Sequence, residues 1–274
     1  MTTSDPSLEF IGTATTILRL GPFTLLTDPN FLHRGDRAYL GKGLSSQRRT
    51  EPSRQPGDLP PVDAVVLSHL HGDHFDRIAR RELDRSLPVF TTPGAAKKLT
   101  RWGFGGAVGM RTWTEQLLES GTERLRVVSA PGEHAPGWAR SLLPPVMGSV
   151  LELSDGTGRP FRVYITGDTL SRPWLREVTD RCGPMDAMVL HLGGTRVLGL
   201  LVTMDDGQGA DLVELIRPDL TVPIHYDDYR AFRSPLADFI SIWRTRGLPG
   251  TLRTVTRGQT VSLTSEQSVN LRPD

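Results

Sequence analysis

The chain has 274 residues, of which 37% are hydrophobic, enough for a sizeable core in one large domain or two small ones. Its 32 basic and 31 acidic side chains leave a formal net charge of +1, so composition gives no case for nucleic acid or a membrane surface. A single cysteine, Cys182, excludes an intramolecular disulfide and a cysteine-rich zinc site.

No apolar stretch approaches the ~18 residues of a membrane span, and Met1 to Glu9 lacks the apolar core of a secretory signal. A cytoplasmic protein is expected. Leu8 to Leu20 reads as two short strands broken near Gly12-Thr13, and Phe23 to Thr27 as a third strand ending in the turn signal Asp28-Pro29. Asp28 is placed either to hydrogen-bond a metal-ligating histidine or to cap that turn. The segment 31–63 is long and irregular, with four prolines. Loops of that length inside a compact domain are often functional, so it is expected to form a lid or rim. Within it, Arg48 and Arg49 are candidates to meet an anionic substrate.

Val65-Val66-Leu67 reads as a buried strand and runs into Ser68-His69-Leu70-His71-Gly72-Asp73-His74. The chain has seven histidines, and three of them fall within the six positions from His69 to His74. Gly72 lets the chain turn, so the side chains can converge from several angles. Imidazole and carboxylate are ligands common to zinc, manganese and iron, and the adjacent Asp73-His74 pair suggests two ions.

Further on, Asp76 to Leu83 suits a helix, Pro88 to Thr91 a strand, and Pro93-Gly94 opens a helix through Trp102. Thr112-Trp113 and Arg124 to Ser129 read as strands, and His134 follows the second of these. The apolar, proline-bearing stretch Ala135 to Met147, with Trp138, either walls a substrate pocket or packs on the core. Ser149 to Leu153 and Phe161 to Thr166 pair as a hairpin that delivers Asp168. Ser171 to Arg181 reads as a helix, and Asp186 to Leu190 as a strand ending at His191. The helix Gly207 to Ile216 and the strand Leu220 to Ile224 lead to His225-Tyr226. The helix Ser234 to Thr245 and the strands Thr251 to Val255 and Gln259 to Leu263 complete the pattern. The second half echoes the first, which predicts an α/β fold: one domain over 1–274 with two sheets inside and helices outside.

His69, His71, Asp73, His74, His134, Asp168 and His225 each fall just after a predicted strand, and strand ends on one sheet edge cluster in space. Five histidines and two aspartates are what two metal ions need if one carboxylate bridges and positions stay open for water.

The His-x-His-x-Asp-His motif at His69 to His74, followed in order by His134, Asp168 and His225, resembles that of the metallo-β-lactamase fold superfamily. The resemblance implies a four-layer αβ/βα sandwich with the site at one edge of the sheets. It implies one metal on His69, His71 and His134, a second on Asp73, His74 and His225, and Asp168 as the bridge. Ile11-Gly12-Thr13-Ala14-Thr15, Thr27-Asp28-Pro29, Leu67-Ser68-His69 and Pro223-Ile224-His225-Tyr226 are similar to one branch in particular. It holds the ascorbate-6-phosphate lactonases and the N-acyl-phosphatidylethanolamine phospholipase D enzymes. This chain has His191-Leu192-Gly193-Gly194 where better-known members of that branch carry Pro-Ile-Gly.

The expected cofactors are two divalent ions, zinc first and manganese or iron as alternatives. The expected chemistry is hydrolysis by a metal-bridging hydroxide, first on a phosphodiester or phospholipid-like substrate and second on a lactone. An iron-based redox enzyme or a non-catalytic binding protein on the same scaffold is a further alternative. Asp73 is a candidate proton acceptor and Asp168 holds the ions together. His191 is expected as a substrate contact or general acid, with a structural histidine as the alternative. Arg48, Trp138 and Tyr226 are candidate substrate contacts. The partner is a small-molecule or lipid-like substrate, with no nucleic acid, and a homo-oligomer is compatible with the sequence.

Overall fold

The computed structural model describes residues 5–41, 43–137 and 143–265. The first half opens with the antiparallel meander β1 (Ser7–Gly12), β2 (Thr15–Leu20) and β3 (Phe23–Thr27). A hairpin of β4 (Arg37–Gly41) and β5 (Leu44–Gln47) stands apart from the main sheets. Then β6 (Ala64–Val66), β7 (Val89–Thr91) and β8 (Ala107–Gly109) join β3 in parallel, with helices α1 (Arg77–Glu82) and α2 (Pro93–Arg101) in the crossovers.

The second half repeats this plan. The meander β9 (Glu115–Ser120), β10 (Glu123–Pro131), β11 (Met147–Ser154) and β12 (Phe161–Ile165) is antiparallel. It continues in parallel through β13 (Ala187–His191), β16 (Leu220–Ile224) and β17 (Thr251–Leu252). Helices α3 (Glu177–Cys182), α4 (Asp206–Ile216) and α5 (Leu236–Arg246) lie between them. A two-stranded ribbon, β14 (Arg196–Val197) and β15 (Leu200–Leu201), follows β13, and β18 (Thr260–Ser262) returns to pair with β1.

The result is two seven-stranded sheets, β18-β1-β2-β3-β6-β7-β8 and β17-β16-β13-β12-β11-β10-β9. Period-two alternation explains how they stack, because successive side chains point to opposite faces. Leu18 and Leu20, Leu25, Ala64 and Val66 face the other sheet, where they meet Leu151, Val163, Ile165, Val189 and Val222. Their neighbours Ile17, Leu26 and Val65 point outward under α1 and α2, against Ile78, Ala79 and Leu99. In the second sheet Tyr164, Met188 and Leu190 point outward under α3, α4 and α5. Strands buried on both faces need near-continuous apolar runs, as β6 and β13 have. The expected αβ/βα sandwich is therefore the observed fold.

Three expectations are corrected. Segment 31–63 is not an irregular loop but carries the β4–β5 hairpin and a short 3-10 turn at Pro56–Asp58. The hairpin strands are short and only partly buried, so they lack the apolar signature of a core strand. Thr112-Trp113 is a turn with Trp113 at φ 67°, and the strand lies just after it as β9, whose half-exposed, charged sequence masks its pairing. The helix expected over 171–181 begins later, as a 3-10 turn at Pro173–Arg176 that passes into α3.

Candidate metal centre

All seven expected ligands sit beyond the ends of strands at one edge of the sandwich. The chain leaves β6 at Val66, and Leu67 still pairs with the Phe90 carbonyl. The next residues curl into a tight turn in which the amides of His74 and Phe75 donate to the His71 carbonyl, at 3.1 and 2.8 Å. Gly72 lies against β4: its amide donates to the Tyr39 carbonyl at 2.8 Å, and an added Cβ would stand 2.7 Å from the Tyr39 nitrogen. His134 follows β10, Asp168 follows β12 and His225 follows β16 at φ 65°.

Two groups of donor atoms result. His69, His71 and His134 form one, and Asp73, His74, Asp168 and His225 the other, each with ligand atoms within 4.8 Å of one another and all buried. In the first, His71 Nδ1 lies 2.9 Å from His69 Nε2 and 3.2 Å from His134 Nε2. In the second, His74 Nε2 is 3.1 Å from Asp168 Oδ2, and His225 Nε2 is 3.7 Å from Asp73 Oδ2.

The far side of each ring fixes which nitrogen carries the proton. His134 Nδ1 donates to the Val202 carbonyl at 2.7 Å, and His225 Nδ1 to the Leu192 carbonyl at 3.0 Å. His74 Nδ1 faces Asp28 Oδ2 at 3.0 Å. Ser68 Oγ has one proton, which goes to Asp28 Oδ2 at 3.0 Å, so towards His69 Nδ1, also at 3.0 Å, it accepts. Four rings thus carry a proton on Nδ1 and turn Nε2 inward. That is the outer arrangement by which proteins prepare histidines for a metal. Asp28 takes the first of its two sequence readings, and its carboxylate also accepts from the Ser68 amide at 2.7 Å.

Among the described residues, His69 Nε2 and His134 Nε2 meet the His71 ring, and the other inward atoms are left without a partner. His74 Nε2, His225 Nε2, Asp73 Oδ1 and Asp168 Oδ1 are buried without a hydrogen-bond partner, as is His71 Nε2. A buried unsatisfied polar atom costs ~1–3 kcal/mol, and more when charged, so their concentration here fits a cation site.

The electrostatics of the two groups differ. Burial, then the neighbouring histidines, holds His69 well below the ordinary imidazole range. Burial, with His134 beside it, brings His71 to about 3, and burial also lowers His134. These rings stay neutral, with lone pairs free. In the second group burial opposes charge, but Asp168, Asp28 and Asp73 raise His74 well above its usual value, and Asp168 and Asp73 raise His225. Burial disfavours the charge on Asp168 as well, yet His225 and His74 hold it well below the carboxylate range. Burial is likewise outweighed at Asp28, which His74 and His191 bring down to about 2. The carboxylates of the second group therefore favour positive charge among them, which a divalent cation would supply.

The remaining expected residues fare differently. His191 is fully buried behind His74, its ring stacked on that ring at 6.1 Å and its Nε2 3.5 Å from Asp28 Oδ2. Its amide also donates to the Thr166 hydroxyl oxygen at 2.9 Å, which favours the second of its two sequence readings, a structural histidine. Arg48 is also buried: its Nη1 bonds the carbonyl and side chain of Asn30, and its Nη2 lies 3.7 Å from Asp228 Oδ1. It ties the hairpin to the His225 loop, where its charge faces Asp228. Tyr226 directs its hydroxyl to the Val255 carbonyl at 3.3 Å, away from the donor groups. Trp138 lies outside the described residues.

Above His71, Asp73, His134 and Asp168 is a narrow cavity of about 30 Å³ walled by Leu40 and Leu44 of the hairpin with Leu143, Val197, Val202, Thr195 and Thr203. Thr195 is the residue that sequence reading missed. Its hydroxyl is buried and without a partner at this cavity. Only the preceding Gly193-Gly194, which allows a tight chain path, hinted at it.

Comparison with known proteins places this edge in context. An uncharacterized protein of Mycobacterium tuberculosis is 26% identical over 246 residues, 84% of this chain and 60% of that protein. The chain thus spans about 60% of the length of the mycobacterial relatives it matches. A UPF0173 metal-dependent hydrolase of Pyrococcus furiosus is 22% identical over 180 residues, 65% of this chain and 72% of that protein. Among solved structures, an isothiocyanate hydrolase from Delia radicum gut bacteria superposes with a TM-score of 0.78 at 20% identity, covering 94% of this chain and 100% of that one. A possible metal-dependent hydrolase from Veillonella parvula gives 0.77 at 22% identity, with 94% and 100% covered. These likenesses establish the fold. The family model described as "Beta-lactamase superfamily domain" matches residues 24–226, most of the chain and every residue of the two donor groups, and the chain belongs to that family.

Proposed function

We propose that the protein is a dinuclear metal-dependent hydrolase. The observation that carries this reading is the convergence of seven buried donors, five of which keep a ring nitrogen or carboxylate oxygen without a partner among the described residues. His69, His71 and His134 would hold one divalent ion and Asp73, His74 and His225 the other, and Asp168 would serve both. Zinc suits this nitrogen and oxygen donor set first, manganese or iron second. Bound there, two such ions acidify a water molecule and polarise the bond it attacks.

The chain's own residues supply the rest. Asp73 is placed to accept a proton. Thr195 offers its free hydroxyl to the polar group of the substrate, and Leu40, Leu44, Val197 and Val202 shed water and hold an apolar group. The apolar side chains Leu40, Leu44, Leu143, Val197 and Val202 on that lining support an uncharged ester, such as a lactone, beside the phosphodiester expected from sequence. The cavity holds about 30 Å³, on the order of a single water, so the β4–β5 hairpin acts as a lid that must lift to admit substrate.

The test is an assay of zinc- and manganese-loaded protein against a lactone panel and bis(4-nitrophenyl) phosphate, beside Asp168→Ala and with metal content measured in both. Metal-dependent lactone turnover that the variant lacks is expected. Turnover of the diester alone would return the substrate class to phosphodiesters. Binding of metal without turnover of either substrate would remove both classes.

A further inference from the structure

A second cleft, of about 320 Å³, lies on the other side of β4 from the metal cavity. Ala38 and Tyr39 form its wall on the hairpin, Leu70 and Phe75 its apolar floor, and α1 and α2 its far side. Those two helices are unusually basic for a chain of net charge +1. They carry Arg77, Arg80, Arg81, Lys97, Lys98 and Arg101 against Glu82.

Two of these cations converge on one aromatic ring. The Arg80 guanidinium stands 4.1 Å from the centre of the Trp102 ring, and the Lys98 ammonium 5.0 Å from it. Among the described residues neither has a carboxylate partner. The two acids nearest the cleft are already engaged. Asp36 pairs with Arg77 at 2.8 Å. Asp76 accepts from four backbone amides, those of Ile78, Ala79, Phe31 and Leu32. Arg37, at the rim, bonds Ser45 and has no carboxylate partner among the described residues. Holding two like charges at one ring is unfavourable unless an anion joins them. A guanidinium can offer two parallel hydrogen bonds to a carboxylate or phosphate.

We propose that this cleft is a binding site for a small organic anion. Arg80 and Lys98 hold its carboxylate or phosphate, and its apolar or aromatic body lies on Tyr39, Leu70 and Trp102. The site is separate from the metal cavity but shares the hairpin with it. Tyr39 walls one side, and the next residue, Leu40, walls the other.

Phenyl phosphate, inorganic phosphate and benzyl alcohol serve as probes in calorimetric titration of the metal-loaded protein. The wild type should bind phenyl phosphate saturably and more tightly than inorganic phosphate, and should not bind benzyl alcohol. R80A/K98A should bind phenyl phosphate at least tenfold more weakly, while each of R80Q and K98Q, which keep the side-chain stems, shows part of that loss. All three are surface changes, and unaltered metal content reports that the variants are folded. Equal affinity in wild type and R80A/K98A would put the anion on the metals and overturn the proposal, as would a wild type that binds none of the probes. Phosphatidate vesicles that sediment the wild type, with soluble phenyl phosphate silent, would overturn it in favour of a lipid surface.

Discussion

Asp28 and Ser68 show how much of the metal centre depends on residues that touch no metal. One carboxylate receives the Ser68 amide and hydroxyl and faces His74, and through Ser68 it also decides the proton on His69. Replacing it with alanine frees two rings to choose the wrong tautomer. Asp28→Ala should lower metal affinity about 10–100-fold, as measured by competition with a chromophoric chelator. A change within twofold would mean that the rings are held by packing alone. At this scale the sequence was legible where chemistry is local. His69, His71, Asp73 and His74 are neighbours, so their type and spacing suffice. Arg48 was misread because its burial depends on Asn30 and on Asp228, 180 positions away in the chain. The free hydroxyl of Thr195 likewise exists only once Thr203 Oγ1 has taken up the Thr195 amide, at 2.8 Å, and left that hydroxyl without a partner of its own.

The β4–β5 hairpin is the element whose position matters most. Its base is fastened to the His225 loop by backbone bonds: Arg49 to the Asp228 carbonyl at 2.7 Å, and Arg230 to the Gln47 carbonyl at 3.1 Å. Its outer part rests on Gly72, where only a hydrogen leaves room for the backbone of Tyr39. Gly72→Ala would drive a methyl into two backbone atoms, at 2.7 and 2.9 Å, neither of which is a flexible side-chain end. The hairpin must lift. The expected cost is about 1–3 kcal/mol of stability in urea unfolding, together with a changed KM. Unchanged stability and KM would show that the hairpin does not bear on this turn. Elements with strong patterns, such as β6, α2, α4 and β16, could be read from sequence within a residue or two. The hairpin could not, because a partly exposed strand pair packed on one glycine has no periodic apolar signature.

At the scale of the whole molecule, distant segments are knotted together at Asp228. Its carboxylate accepts from the Thr13 amide at 2.8 Å, from the Thr50 hydroxyl, and from Arg257 at 3.0 Å, and it neutralises buried Arg48. Burial opposes its charge, but Arg257, Arg48 and Thr50 outweigh that and lower its pKa. A carboxylate whose folded pKa lies below the unfolded one, ordinarily ~3.9, stabilises the fold above that value. The contribution is lost as pH falls through the folded value. Asp228→Asn should therefore cost about 3–5 kcal/mol near neutrality, since Arg48 is left buried with a neutral partner. The gap from wild type should close as the pH is taken below about 4. A gap independent of pH would assign the loss to shape rather than charge.

The pairing of β1 with β18 joins Ser7 to Ser262, and so imposes an order in time. During synthesis β1 emerges before the other described strands, yet its outer edge stays open until β18 has also left the ribosome. An uncovered strand edge invites pairing with other chains. The early half must therefore wait, with its apolar inner face uncovered, for the second sheet and then for one short closing strand. Aggregation during expression, rather than instability once folded, is the weak point this topology builds in.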